Sequence, residues 1–184
     1  MNIPNLISLF RILLIPVFIY TFVTGSGSTR IVGPIIIFVI SGASDVLDGY
    51  IARKYHLQTP LGAVLDPLAD KLMLLTALIC FAVYEYIPLW IVALVAAKEL
   101  LMITGGILAW RRGIVTRANL WGKLATTLFH LAIVGFLFSR TFAFVLLIFS
   151  LGVSFYALFN YAKITLEKRR AQQNAQKKAG TPAS

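Results

Sequence analysis

Ile31-Val32-Gly33-Pro34-Ile35-Ile36-Ile37-Phe38-Val39-Ile40-Ser41-Gly42-Ala43-Ser44-Asp45-Val46-Leu47-Asp48 begins without a charge and closes on two carboxylates. An α-helix rises about 1.5 Å per residue, so about 20 mostly apolar residues cross the ~30 Å hydrocarbon core of a bilayer. The run from about Arg30 to Lys54 meets that length and reads as a membrane helix that carries acidic residues to one boundary. Five more runs qualify: about Leu6 to Thr24, Val64 to Tyr84, Ile87 to Trp110, Leu120 to Phe138, and Thr141 to Ala162. Breakers separate them at Gly25-Ser26-Gly27-Ser28, Gln58-Thr59-Pro60, Pro88 and Arg111-Arg112-Gly113. The expectation is an all-α integral membrane protein of six transmembrane helices, with a single membrane domain over residues 1–166 and a basic polar tail over 167–184 that frays at its end.

Composition agrees. Of 184 residues, 59% are hydrophobic and 13% charged, against roughly 45–50% and about 25% in a soluble domain. Disorder, collagen and disulfide scaffolds are excluded by the same figures. The formal net charge is +10. On so apolar a chain, that excess marks the cytoplasmic side and its anionic headgroups rather than nucleic acid. The lone Cys80 sits in an apolar run and reads as a packing residue. Met1 to Ser8 carries no Lys or Arg and precedes no small-residue cleavage site, so the first helix does not read as a cleaved signal.

An even number of spans puts both termini on one side. Arg11, Arg53, Lys54, Lys71, Arg111, Arg112, Arg117, Lys123 and the basic residues from Lys163 onward then share that side, whereas Arg30 and Arg140 fall near the other. The excess predicts cytoplasmic termini in the inner (cytoplasmic) membrane.

Four of the seven acidic residues, Asp45, Asp48, Asp66 and Asp70, lie where the second helix ends and the third begins. An Asp in a spanning helix costs about 2.5–3.5 kcal/mol on insertion scales. Asp45 and Asp48 stand at i, i+3 and Asp66 and Asp70 at i, i+4, so each pair shares one helix face. The second helix descends and the third returns, which lets the two faces meet at one depth. Carboxylates so gathered repel, and hard divalent cations such as Mg²⁺, which take oxygen ligands and share them with phosphates, relieve that repulsion. Capping by one Asp is ordinary, but capping does not account for four in this spacing. The ligand register of an EF-hand is absent.

The string Asp45-Val46-Leu47-Asp48-Gly49-Tyr50-Ile51-Ala52-Arg53, followed by Gly62, Asp66 and Asp70, has the form D-x2-D-G-x2-A-R-x8-G-x3-D-x3-D. It resembles the signature of the CDP-alcohol phosphatidyltransferase family, with every fixed position present. The resemblance implies transfer of a phosphatidyl group from a CDP-linked lipid to an alcohol, with release of CMP. It implies that Asp45, Asp48, Asp66 and Asp70 hold Mg²⁺ or Mn²⁺, two ions being expected, and that Asp70 is the general base. It implies a CDP-lipid groove from Asp48, Gly49, Ala52, Arg53 and Gly62, an active site facing the cytoplasm, and a homodimer. Taken alone, Gly49, Ala52 and Gly62 read equally as helix-packing residues. Arg53 offers a planar fork to phosphate oxygens.

Leu65-Asp66-Pro67-Leu68-Ala69-Asp70-Lys71 and Asn2-Ile3-Pro4-Asn5-Leu6-Ile7-Ser8-Leu9-Phe10-Arg11 resemble the family members that use glycerol 3-phosphate, and the related cardiolipin-forming members that use phosphatidylglycerol. Glycerol 3-phosphate from CDP-diacylglycerol is the expected pairing, and phosphatidylglycerol is the alternative acceptor. The members that use glycerol 3-phosphate often carry Arg-Glu midway along the fourth helix. Here the pair is Lys98-Glu99, which keeps the charge and loses the fork. Arg117 and Lys123 are candidates for the acceptor phosphate. Arg111 and Arg112 are weaker ones, because the positive-inside bias alone explains them. Lys71 reads either as tuning Asp70 or as snorkelling, and Lys98-Glu99 as a functional or an interhelical pair. His130 reads as a hydrogen-bonded packing residue and His56 as a solvated loop residue. A transporter is the rival from another class, but it would place carboxylates at mid-depth between internal repeats, and none is evident.

Overall fold

The computed structural model describes residues 3–55, 62–111 and 120–179. Among them the chain forms six helices and no strand: α1 (Ile3–Thr24), α2 (Thr29–Lys54), α3 (Gly62–Val83), α4 (Leu89–Arg111), α5 (Leu120–Gly135) and α6 (Arg140–Ala179). Short connections reverse the chain after α1, α3 and α5. Pro16, Pro34 and Pro67 lie inside helices, which membrane helices tolerate because neighbouring groups satisfy the freed backbone. His56, Arg112 and Arg117 lie outside the described residues, as do the side chains of Asp48, Arg53 and Arg111.

Four helices are long and apolar enough to cross a membrane, over Leu6–Thr24, Thr29–Ala52, Leu89–Ala109 and Arg140–Arg169. The other two fall short for different reasons. α3 has the length but carries Asp66, Asp70 and Lys71. α5 has 16 residues, about 24 Å of rise, less than a full hydrocarbon core. Its expected last turn, through Phe138, is tightened instead into i→i+3 bonds from Phe136, Leu137 and Phe138. α6 outruns the apolar run that ends near Ala162: it continues unbroken into the basic tail to Ala179, 40 residues or about 60 Å, roughly twice the hydrocarbon thickness. Gln, Lys, Arg and Ala dominate its second half, and all are good helix formers, so loss of hydrophobicity there does not mean loss of helix.

α1 lies between α2 and α3, α5 and α6 form a close hairpin, and α4 packs beside α3 and α6. Gly135 meets Ala143 across the α5–α6 hairpin, where a Cβ would stand 3.5 Å from the Ala143 backbone. The core is aromatic at the end away from the acids. Phe22, Phe81, Tyr86 and Phe136 pack ring against ring, with Phe81 and Phe136 centroids 4.5 Å apart. Cys80 is buried in the same cluster, as expected. The outer surface is apolar: Tyr20, Leu100, Phe142, Phe149 and Phe159 are all exposed. A soluble monomer rarely shows contiguous apolar area beyond a few hundred Å². An apolar surface on long apolar helices is that of a membrane protein.

The turns explain themselves locally. Gly25 closes α1 where a Cβ would stand 2.6 Å from the Cα of Arg30, and Gly27 has φ +53°. α3 ends in a Schellman motif, with Tyr86 N–H donating to the Phe81 carbonyl at 2.8 Å and Glu85 N–H to the Ala82 carbonyl at 3.0 Å. The left-handed position, where glycine is usual, is held by Glu85 at φ 60°. Arg140 donates to the backbone carbonyl of Glu85, so that contact does not need the carboxylate. Glu85→Gly is expected to stabilise the protein by about 0.5–1 kcal/mol, net of the added freedom of the unfolded chain. A rise in Tm of a few degrees in detergent would register it.

Candidate active site

The acidic residues lie at the start of α3 and toward the end of α2, where α1 and α5 begin. α1 brings Ser8 and Arg11, one turn apart and therefore on one face. Both are buried, Arg11 to 1% exposure. Arg11 Nη1 lies 2.5 Å from Asp45 Oδ1, and Nη2 lies 3.5 Å from Asp66 Oδ1. Ser8 Oγ donates to Asp66 Oδ1. One guanidinium thus draws a carboxylate of α2 and a carboxylate of α3 to a single place. The two carboxylates keep partial access to water, at 43% and 35% exposure.

Asp70 is one helical turn beyond Asp66 and meets a different partner. His130 Nε2 on α5 lies 3.3 Å from Asp70 Oδ1. The other ring nitrogen, Nδ1, lies 2.9 Å from the Thr126 carbonyl oxygen. Phe38 of α2 packs on the imidazole at 4.9 Å between centroids. These side chains border a cavity of about 350 Å³. Asp45, Asp70, Thr126, Thr127 and His130 make its polar lining, and Phe38, Val39, Val46, Leu131 and Val134 its apolar lining. Polar and apolar linings in one cavity suit a ligand that is both.

A second group of charges joins α3 to α4. Lys71 Nζ lies 2.6 Å from Glu99 Oε2, and Lys98 Nζ pairs with Glu99 Oε1. Lys71 is therefore committed to the α3–α4 contact, and Lys98-Glu99 is part of an interhelical cluster.

Of the residues expected in the site, Asp45 and Asp66 meet on Arg11, while Asp45 and Asp70 line one cavity. Gly49 and Ala52 are half-buried on α2, and Gly62 is buried at the start of α3. Lys123 is exposed, on the α5 stripe that continues through Thr126, Thr127 and His130. Among the described residues, no three Asp, Glu, His or Cys side chains stand as a ready metal cage. Sequence reading missed Arg11, Ser8 and His130 as members of the site. Arg11 and Ser8 belong to the family-like opening segment, and Arg11 to the basic residues of the cytoplasmic side, but neither reading gives them a role in the site. The signal available was an arginine within an apolar helix, with a serine on the same face, because an intramembrane charge calls for a partner. His130 does pack and hydrogen-bond as expected, but one of its bonds reaches an acid of the signature.

The combination defines a class: a helical membrane protein with an acid-lined, partly apolar cavity at one end of the bundle. Residues 1–156 match the family model for CDP-alcohol phosphatidyltransferase, and the chain belongs to that family. A CDP-diacylglycerol–glycerol-3-phosphate 3-phosphatidyltransferase of Bacillus subtilis is 37% identical over 136 residues, covering 68% of this chain and 70% of the relative. One of Yersinia enterocolitica is 34% identical over 172 residues, covering 88% and 93%. A CMP-forming cardiolipin synthase of Streptomyces coelicolor is 32% identical over 169 residues, covering 88% and 74%.

The Lys71–Glu99–Lys98 cluster tests the packing beside the site without touching it. Glu99 is 14% exposed and pairs with two lysines, one from each helix. Glu99→Gln leaves two ammonium groups facing a neutral amide and is expected to cost about 1–3 kcal/mol, less than the range for breaking a fully buried pair because Lys71 keeps access to water. Adding Lys71→Met should recover part of the lost thermal stability.

Proposed function

We propose that this chain transfers the phosphatidyl group of CDP-diacylglycerol to glycerol 3-phosphate, yielding phosphatidylglycerophosphate and CMP. The observation that carries the reading is the cavity that Asp45 and Asp70 line together with apolar side chains. A diphosphate-linked diacyl lipid has that same division, and relatives along most of the chain bear this enzyme's name.

Asp45, Asp48, Asp66 and Asp70 would hold Mg²⁺ or Mn²⁺, two ions being the expected number. The donor set suits such ions. It is all carboxylate oxygen, and Asp45 and Asp66 already converge on one cation, the Arg11 guanidinium. When bound, such ions neutralise the diphosphate and the departing CMP. Asp70 takes the proton from the acceptor hydroxyl as that oxygen bonds to the lipid-bearing phosphorus. The bond from this phosphorus to the bridging oxygen of the diphosphate breaks, and CMP leaves with that oxygen and its electron pair. Asp48, Gly49, Ala52, Arg53 and Gly62 form the CDP-lipid groove, where the small, half-buried Gly49 and Ala52 leave room beside the α2 backbone and Arg53 is the candidate for phosphate by its chemistry. Lys123 stands on the α5 face that leads to the cavity and receives the acceptor phosphate; Arg117, and more weakly Arg111 and Arg112, are further candidates for that phosphate by charge alone.

The same reading gives six spans over a membrane domain of residues 1–166, a basic extension over 167–184, and both termini in the cytoplasm. Positive charge concentrates at the acid-bearing end, whereas Arg30 and Arg140 at the other end lie over the rings of Tyr84 and Tyr86. The active site then faces the cytoplasm from the inner membrane, where a soluble phosphorylated acceptor arrives. A homodimer is the expected assembly by resemblance to the family. A second reading, phosphatidylglycerol as acceptor with cardiolipin as product, is favoured by the Streptomyces coelicolor relative.

CMP release from purified protein in mixed micelles tests the assignment. With CDP-diacylglycerol and Mg²⁺, glycerol 3-phosphate should support turnover and phosphatidylglycerol should not; the reverse result makes the second reading correct. Chelation should abolish turnover and added Mg²⁺ or Mn²⁺ restore it. Asp66→Asn should lower kcat by about 100-fold or more, since several kcal/mol of charge stabilisation is lost and ~1.4 kcal/mol is tenfold. Lys123→Ala should raise KM for glycerol 3-phosphate several-fold with little change in kcat, as for a lost phosphate contact.

A further inference from the structure

His130 makes two bonds, and their chemistry fixes what the ring can do. A backbone carbonyl only accepts hydrogen bonds, so the contact from His130 Nδ1 to the Thr126 oxygen at 2.9 Å requires hydrogen on Nδ1. Nε2 is then the nitrogen left for Asp70, and since a carboxylate only accepts, the doubly protonated ring is the form that donates from Nε2 to Oδ1 across 3.3 Å. The ring has little freedom to leave this arrangement. Phe38 lies against it at 4.9 Å, and α2 approaches through Gly42, where a Cβ would stand 3.7 Å from His130 Cδ2. α5 thereby reaches an acid of α3 through an oriented side chain.

We propose that His130 is a positioning residue for the phosphatidyl transfer, holding Asp70 by Oδ1 so that Oδ2 is left for the acceptor hydroxyl. The inference rests on the role given to Asp70 under the proposed function. A carboxylate on a helix reorients by rotation about two side-chain bonds, and a base whose oxygen strays from the hydroxyl loses the benefit of proximity. Anchoring one oxygen to a ring that is itself hydrogen-bonded and stacked removes that freedom. The arrangement follows the general rule that a base is oriented by a third group. His130 does not need to touch either substrate. Its loss should therefore slow the chemical step and leave binding almost unchanged.

The test compares His130→Phe, His130→Gln and His130→Asn in the CMP-release assay, alone and with Asp70→Asn. Phe keeps the ring against Phe38 and removes both nitrogens. It should lower kcat by about 10–100-fold while KM for both substrates stays within about threefold. Gln reaches the Nε2 position with an amide N–H and should regain most of the loss. Asn reaches only the Nδ1 position and should not. In the Asp70→Asn background, His130→Phe should slow turnover by no more than about twofold, because the group it orients is gone. A role in packing alone would lower thermal stability without distinguishing Gln from Asn. Wild-type kcat in His130→Phe overturns the proposal, as do equal rates for Gln and Asn. A His130→Phe loss that multiplies fully with that of Asp70→Asn also overturns it. If His130→Phe does not fold, the comparison of Gln with Asn still decides. Near-normal turnover in Asp70→Asn alone would overturn the underlying role of Asp70, and the proposal with it.

Discussion

Arg11 is buried in an apolar helix and touches carboxylates on two others. An unpaired cation there would cost several kcal/mol, and so would Asp45 and Asp66 facing each other without one. Each group answers the other's need only if α1 lies between α2 and α3 at one register, which is the packing observed. Ser8, one turn earlier, adds a donor to Asp66 and fixes the rotation of α1. The polar contact therefore selects one arrangement among the many that apolar helices in lipid would accept, because apolar side chains meet lipid as readily as each other.

The bundle is consequently divided along its length. At the far end, Phe22, Phe81, Tyr86 and Phe136 pack as a core, and Arg30 and Arg140 are tied to aromatic rings and to backbone carbonyls. At the near end, packing gives way to an acid-lined cavity whose wall includes α5. Glu99 holds Lys71 toward α4, keeping that ammonium in the α3–α4 contact although it adjoins Asp70 in sequence. Three charge contacts with distinct partners thus serve three neighbours on α3: Asp66 with Arg11, Asp70 with His130, and Lys71 with Glu99.

Much of this was legible in the sequence, and the limits have physical reasons. Apolar runs of spanning length and their breakers located all six helices, because hydrophobicity over 20 residues is a strong signal. The sixth apolar run ends near Ala162 while α6 continues to Ala179, since hydropathy registers lipid contact and is blind to a polar helix rich in Lys, Gln and Ala. The acid signature was visible as spacing. Its partners were not, because Ser8, Arg11 and His130 come from helices far away in the chain, and pairing across helices leaves no periodic mark. Lys71 illustrates the same blindness: sequence adjacency suggested Asp70, while the fold pairs it with Glu99.

The account depends on one contact bridging helices, and a thermodynamic cycle on Arg11→Gln and Asp66→Asn reads it directly. Thermal stability in detergent with chelator present, measured for wild type, both single variants and the double variant, gives the coupling free of bound metal. If Arg11 and Asp66 stabilise each other, either single change should leave an uncompensated charge, and the double variant should be less destabilised than the sum by about 1 kcal/mol or more. Strict additivity, within about 0.5 kcal/mol, would mean that Arg11 does not hold α1 to the carboxylate helices, and would contradict the account.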